Sequence, residues 1–496
     1  MDIRLFVIVS IGSAALALLT RGDRRIALVV GFGGLVACVV SALLLDEGTS
    51  IDVVGGSLVA SAFVRWFLVI GSLGALAACL VALATRWQRD LPAATLAALG
   101  GCALALSIDS PPVALMAATA AGALGLISLA TPHAQAGGSR LMLRYLNGIV
   151  ISGVIAVIAA AWLVGRQGPL LFDTVAGGAA AFAMALALAI RMAAVPFHAP
   201  AARVVRAAVP LGIPLLLGFL PVLVFLVALS WTHRILLPQP VDLDTVRSIV
   251  AIVGAGSLLL GALGTIGRPP ESDDVEHVIS YGIVQDAGMF LLAFAAFDAS
   301  VWREARMWSL YFLASKVGLA AFLAALLATR GSASIRSLEG WARRSPVLAI
   351  ALVGAVAAGL GLPGLDSWDA RFAIVRSATH RPFNWIAYGG WLLAYLPFVR
   401  ILWIGVRSQG EPLPLHSRLR LRTPPERPVW PDMRGLAGYA VGSVMLSRLA
   451  IATLLTLVIG LGSVVLALGN PGLSEAAAVL PEPVAPAVTP GPAPSP

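Results

Sequence analysis

Residues 307–331 read MWSLYFLASKVGLAAFLAALLATRG, and their reading decides the fold. As a helix rising 1.5 Å per residue, this run is long enough to cross a hydrocarbon core of about 30 Å. Near its middle stands Lys316, the only lysine among 34 Lys and Arg residues in a chain of 496. A charged side chain at that depth costs about 2.5–3.5 kcal/mol on insertion scales, so Lys316 is expected to turn away from lipid and to have a partner or a task.

Runs of this kind recur. The chain is 59% hydrophobic and only 12% charged, with a mean hydropathy of +0.91, whereas soluble domains carry roughly 25% charged residues. Fourteen spans are expected near 3–20, 26–45, 63–85, 91–108, 111–130, 145–165, 172–195, 207–231, 245–266, 277–298, 307–329, 346–378, 383–405 and 445–469. The runs are too long and too continuously apolar for barrel strands, so the fold class is an all-α polytopic membrane protein with no sheet. Ala, Leu and Gly dominate the spans, as close helix packing in lipid favours. The first run lacks a basic leader and passes into TRGDRR (20–25), which reads as a loop after a first span rather than a cleaved signal. Cys38, Cys79 and Cys102 lie inside apolar runs without CxxC or His-rich spacing. They read as small core residues, with no metal site and no cofactor.

The sequence pI near 10.3 is a topology signal in such a chain, and no aromatic-basic motif for nucleic acid accompanies it. Arginine concentrates in TRGDRR (20–25), TRWQRD (85–90), SRLMLR (139–144), ARVVRAA (202–208) and RGSASIRSLEGWARR (330–344), while DEGTSID (46–52) is acidic. The positive-inside rule makes the arginine-rich connections cytoplasmic and leaves both termini outside. The connection 406–444, with Arg407, Arg418, Arg420, Arg422, Arg427 and Arg434, falls on the cytoplasmic side. It is either a solvated topology determinant or a contact for anionic lipid or a cytoplasmic subunit. The tail PEPVAPAVTPGPAPSP (481–496) has the composition of an extended, disordered segment, expected from 470 onward.

Two spans are interrupted. In AMALALAIRMAAVPFHAPAARVVRAAVP (183–210), Arg191 lies inside the apolar run and Pro196, His198 and Pro200 follow. In AGLGLPGLDSWDARFAIVRSA (358–378), Gly361, Pro363 and Gly364 break the run ahead of Arg371. Proline removes a helix hydrogen bond and crowds the preceding turn, so each span should open there. These are spans seven and twelve, five apart, and a five-helix repeat would be inverted in the membrane. Matching interruptions in two halves point to an ion or substrate path; two unrelated proline kinks are the alternative.

These segments resemble the antiporter-like membrane subunits of respiratory complex I (NADH-quinone oxidoreductase), of Mrp antiporters and of membrane-bound hydrogenases. The family's Lys…Pro-Phe/Leu-His…Ala-Pro signature reads here as Arg191, Pro196, Phe197, His198 and Val209–Pro210. DDVEHVISYGIVQDAGMFLLA (273–293) matches a further family segment at Asp274, Tyr281 and Gly288, and YFLASKVGLAAFL (311–323) places Lys316 on a family lysine. The broken span matches at Gly361, Pro363 and Phe372, with Arg371 in a lysine position. The clear similarity covers 185–215 and 272–378. It implies fourteen helices with two inverted five-helix repeats, at 91–231 and 245–405, between N-terminal helices at 1–90, the basic loop 406–444, a last helix at 445–469 and the tail 470–496. It also implies partner membrane subunits in the surrounding bilayer, a bacterial inner-membrane location, proton translocation, and redox chemistry on other subunits.

The departures bear on mechanism. A buried lysine can release and regain a proton, whereas an arginine stays protonated throughout the physiological range. Arg191 and Arg371 therefore keep charge without a relay role, as fixed positive charges or in pairs with Asp366, Asp369 or Asp286. The family's glutamate is absent from SIDSPPVALMAATAAGALGLISLA (107–130), where Thr119 stands near its place, and PLGIPLLLGFLPVLVFL (210–226) lacks the family's second lysine. The proton or ion path is thus expected at Lys316, Asp286, Arg191, Arg371 and His198, with Pro196, Gly361, Pro363 and Gly364 as helix breaks. Lys316 either belongs to that path or pairs with Asp286 to fix packing. His198 either exchanges protons at the first break or is a satisfied interfacial side chain. The chain carries no enzyme motif, so its parts are those of a non-redox subunit. A non-conducting structural subunit and a free-standing cation/proton antiporter are the alternatives.

Overall fold

The computed structural model describes residues 2–53, 56–85, 90–129, 138–164, 174–238, 241–266, 274–379, 383–407 and 438–480. Helices α1 (Ile3–Leu19), α2 (Arg24–Leu43), α3 (Ala62–Thr85), α4 (Leu91–Ser107) and α5 (Pro111–Leu129) open the chain. They are followed by α6 (Gly138–Val164), α7 (Thr174–Met192), the short α8 (Ala199–Ala207) and α9 (Leu220–Trp231). The second half holds α10 (Asp244–Ile266), α11 (Val275–Ala295), α12 (Trp302–Arg330), α13 (Trp341–Arg344), α14 (Pro346–Leu360), α15 (Asp366–Ala378), α16 (Phe383–Leu393) and α17 (Tyr395–Val406). α18 (Gly438–Ala467) and α19 (Pro471–Ala478) complete the described chain. Eleven helical stretches among these residues are long and apolar enough to cross a membrane, and α1, α4 and α14 are shorter apolar helices at the places expected for spans one, four and twelve.

Burial grades from centre to edge. The stretch 210–236 is wholly buried and α11 and α12 nearly so, whereas α2 and α18 turn most of their surface outward. The outward side chains are Val29, Ile158, Val175, Trp403 and Val465 among others. Lipid tails solvate such surfaces as well as a protein interior does, so helix contact depends on close packing of small residues. At Gly354, an added Cβ would stand 2.7 Å from Gly460 O, and at Gly318 it would stand 2.7 Å from Ala355 Cβ.

Two expectations are corrected. A two-stranded antiparallel hairpin, β1 (Ser50–Val53) and β2 (Gly56–Val59), sits between α2 and α3. It lies in a connection rather than in a span, where water satisfies the unpaired edges that lipid would not. The tail does not become irregular at 470: Asn470 caps α19 by accepting from Leu473 N at 3.2 Å, and Leu473, Ala476 and Ala477 are buried. Residues 481–496, and the basic loop between 408 and 437, lie outside the described residues.

The first and last described residues share one face, called here the terminal face. Arg4 Nη2 donates to Asp52 O in the hairpin at 3.2 Å. A crevice of about 770 Å³ runs from Glu47 and Val59 to Ala476 and Val479 of the C-terminal segment.

Candidate functional site: a buried lysine–carboxylate–arginine cluster

The second break explains how the site is built. α14 ends where Gly361 takes φ +77°, in the region that side chains with a Cβ rarely adopt. The last carbonyls of a helix lack intrahelical partners, and lipid offers none. Here side chains supply the donors: Arg371 Nη1 to Gly359 O at 2.7 Å, Trp391 Nε1 to Leu360 O at 2.7 Å, and Tyr395 Oη to Leu360 O at 3.1 Å and to Gly361 O. The negative end of the α14 dipole also favours the guanidinium placed there.

Arg371, fully buried on α15, points back toward the centre and lies between the rings of Trp308 and Trp391, with centroids 5.6 and 5.4 Å away. Its Nη1 is 4.0 Å from Asp286 Oδ1 on α11. The other oxygen, Oδ2, is 2.5 Å from Lys316 Nζ on α12. Lys316 also sits 5.2 Å from the Phe312 ring. The two side chains are 8% and 5% exposed, so this is an ion pair in the protein interior. A cavity of about 20 Å³, lined by Asp286, Lys316, Gln285, Ser315 and Gly359, is large enough for one water. Two cations share one carboxylate, so the cluster carries formal charge +1 with Lys316 protonated and 0 with it neutral. Arg371 keeps Asp286 paired in both states.

The first break is different. α7 ends with Ala193 at φ +61° and Ala194 N bonded to Ala189 O at 2.9 Å. The freed Val195 N–H donates to Ser257 Oγ of α10 at 3.1 Å. Arg191 is buried, and its Nε, Nη1 and Nη2 find no hydrogen-bond acceptor among the described residues. Gly122 of α5 makes room for it: an added Cβ there would stand 2.1 Å from Nη2. Thr119, near the place of the family's glutamate, spends its hydroxyl on Leu115 O at 2.7 Å. His198 stands beside α11, its ring 6.1 Å from that of Tyr281, which is 4.5 Å from that of His277.

The expected residues thus fall into two groups. Lys316, Asp286 and Arg371 meet; Arg191 stands apart on α7, and His198 follows the first break. α11 links them, carrying Tyr281 beside His198 and, about 7.5 Å further along its axis, Asp286 beside Lys316. Of the three carboxylates open to Arg371, Asp286 is the one within ion-pair distance, while Asp366 bonds Tyr311 and Arg303 instead. Sequence reasoning missed His277 and the Trp391 and Tyr395 donors. It also missed Gly122, whose glycine-rich surroundings signal helix packing in general but not an arginine. Asp274 serves as the N-cap of α11, accepting from His277 N at 2.6 Å.

Fold and site together define a polytopic helical membrane protein with two interrupted spans and a buried ionisable cluster at the second. The chain belongs to the family described as NADH:quinone oxidoreductase/Mrp antiporter, TM, whose profile matches residues 143–396. It is 23% identical over 231 residues to NADH-quinone oxidoreductase subunit N of Moorella thermoacetica, covering 45% of this chain and 47% of that one. The corresponding subunit of Laribacter hongkongensis is 23% identical over 244 residues, with 47% and 49% covered. The matches thus span about half the length of these curated relatives. A chain of the Mrp complex from Dietzia sp. DQ12-45-1b has the same fold, with a TM-score of 0.73 at 19% identity over 96% of each chain. A chain of respiratory complex I from Thermus thermophilus aligns with a TM-score of 0.64 at 18% identity, covering 95% of this chain and all of that one.

Proposed function

We propose that this chain is an antiporter-like subunit of a multisubunit membrane complex and carries protons through the membrane centre, with Lys316 as the group that exchanges them. The observation that carries the reading is the Lys316–Asp286 pair, 2.5 Å apart and buried, with Arg371 on the carboxylate's other oxygen. An ion pair at this depth is expensive to keep for packing alone, because desolvation offsets most of its Coulombic gain. Arg371 stabilises Asp286 as a carboxylate while Lys316 gains or loses its proton. Arg191 acts as a fixed charge and His198 as an exchange group at the cytoplasmic end. The two interrupted spans belong to two inverted five-helix repeats, in a bacterial inner membrane with both termini outside. The basic loop 406–444 meets anionic lipid or a cytoplasmic subunit. The similar solved chains come from an Mrp complex, respiratory complex I and an archaeal respiratory membrane complex, the membrane-bound sulfane sulfur reductase, which supports a home among partner subunits.

A second reading, a non-conducting structural subunit, is favoured by two observations: among the described residues the Arg191 guanidinium finds no hydrogen-bond acceptor, and Thr119, near the place of the family's glutamate, spends its hydroxyl on Leu115 O. Proton uptake by vesicles holding the intact complex separates the two readings. Lys316→Met removes this chain's share of the uptake under the first and leaves it unchanged under the second. A third reading, a free-standing cation/proton antiporter, requires the chain purified alone to exchange ions in vesicles.

A further inference from the structure

A second set of ionisable groups lies on α12 and α15, one step nearer the terminal face. Tyr311 Oη donates to Asp366 Oδ2, and Arg303 Nη2 is 3.4 Å from Asp366 Oδ1. Arg303 also meets Glu304 at 2.9 Å and donates Nε to Ser474 Oγ of α19 at 2.6 Å. Tyr311 precedes Lys316 by five residues of one uninterrupted helix, about 7.5 Å of rise. Side-chain exposure climbs along the line: Asp286 5%, Lys316 8%, Asp366 23%, Arg303 37%. Asp366 opens α15, where the positive end of the helix dipole favours a carboxylate, and its two oxygens meet a hydroxyl and a guanidinium from α12. α19 covers this point: Arg306 Nη1 holds Ala477 O at 3.1 Å and Val479 O at 3.0 Å, and an added Cβ at Gly469 would stand 3.4 Å from Asp366 Cβ.

We infer that Asp366 is a second proton-exchange residue, on the terminal-face side of Lys316, with Tyr311 as the hydroxyl that positions it and α19 covering its way out. The inference rests on the reading of Lys316 as a proton carrier. In the step, an Nζ–H bond of Lys316 breaks and the proton crosses the intervening distance through bridging water to the Asp366 carboxylate, where an O–H bond forms. This leaves a neutral amine and a neutral acid. Release to water at the terminal face restores the carboxylate, which Arg303 holds between cycles. Among the described residues, Tyr311 and Arg303 of α12 meet Asp366 directly, with Glu304 on Arg303 and Asp369 in the same first turn of α15.

The test uses the intact complex in vesicles, with proton uptake per turnover read in Asp366→Asn, Asp366→Glu, Tyr311→Phe and Lys316→Met. The expected result is that Asp366→Asn removes the same share of uptake as Lys316→Met, that Asp366→Glu retains it, and that Tyr311→Phe slows it several-fold. A residue that only anchored α19 would lower assembly without changing protons per turnover in the complex that forms. Full uptake in Asp366→Asn beside lost uptake in Lys316→Met overturns the inference and leaves the Lys316 reading standing; full uptake in both overturns both. Should Asp366→Asn not assemble, Tyr311→Phe, which leaves the Arg303 pair in place, decides: unchanged uptake overturns the inference.

Discussion

Lys316 Nζ and Asp286 Oδ2 lie 2.5 Å apart on facing helices, both all but removed from solvent, while Arg371 approaches the second carboxylate oxygen. Removing the carboxylate leaves two buried cations and no anion. Asp286→Ala is therefore expected to destabilise the protein by about 3–5 kcal/mol. The double variant Asp286→Ala/Lys316→Met should cost less than the single one, because it removes one of the stranded charges. Denaturation of the purified complex in detergent, compared across the two singles and the double, checks this.

Arg371 is a fixed charge in this account. Arg371→Lys keeps a cation within reach of Asp286 and should preserve proton uptake. Arg371→Gln keeps a donor for Gly359 O but removes the charge, and uptake should fall at least tenfold at normal assembly. Equal uptake in the two variants would make Arg371 purely structural.

Gly122 is the space in which the Arg191 guanidinium sits. Gly122→Ala should force the arginine to move and lower stability by about 1–3 kcal/mol. Gly148, on the neighbouring α6 with nothing within 4 Å of an added Cβ, is the control. Gly148→Ala should leave the melting temperature unchanged or raise it, since alanine is the better helix former.

The two glycines of the second break should respond unequally. Both have positive φ, +77° at Gly361 and +94° at Gly364, so alanine is strained at either, by about 1–3 kcal/mol. At Gly361 an added Cβ would also stand 2.8 Å from the backbone of Trp368, whereas Gly364 has open space. Gly361→Ala should therefore lower thermal stability clearly more than Gly364→Ala.

Much of this was legible in the sequence because membrane helices announce themselves. The runs around α1, α4 and α14, though short, were found by continuous apolarity, and the breaks by Pro196 and the Gly361–Gly364 group, whose backbone effects are local. Lys316 and Asp286 stood out because intramembrane charge is rare, and their pairing followed from having few partners to choose from. The other pairings were not legible. Asp366 looked like a partner for Arg371, five residues along the same helix, yet residues five apart stand about 140° apart around a helix, and Arg371 reaches Asp286 on another helix instead. The Trp391 and Tyr395 donors, and Gly122 under Arg191, depend on which helix faces which, and an apolar run carries no record of that. The hairpin and α19 were missed for a related reason: both are short and lie outside the spans, where hydropathy has little to read.

The central claim is that Lys316 exchanges protons, and the direct measurement is proton uptake per turnover by vesicles containing the intact complex with Lys316→Met. Methionine fills the same volume without an ionisable group. The account predicts normal assembly and loss of this chain's share of the uptake, with Arg371 still holding Asp286. Unchanged uptake at normal assembly would contradict it and leave the Lys316–Asp286 pair as a packing element of a non-conducting subunit.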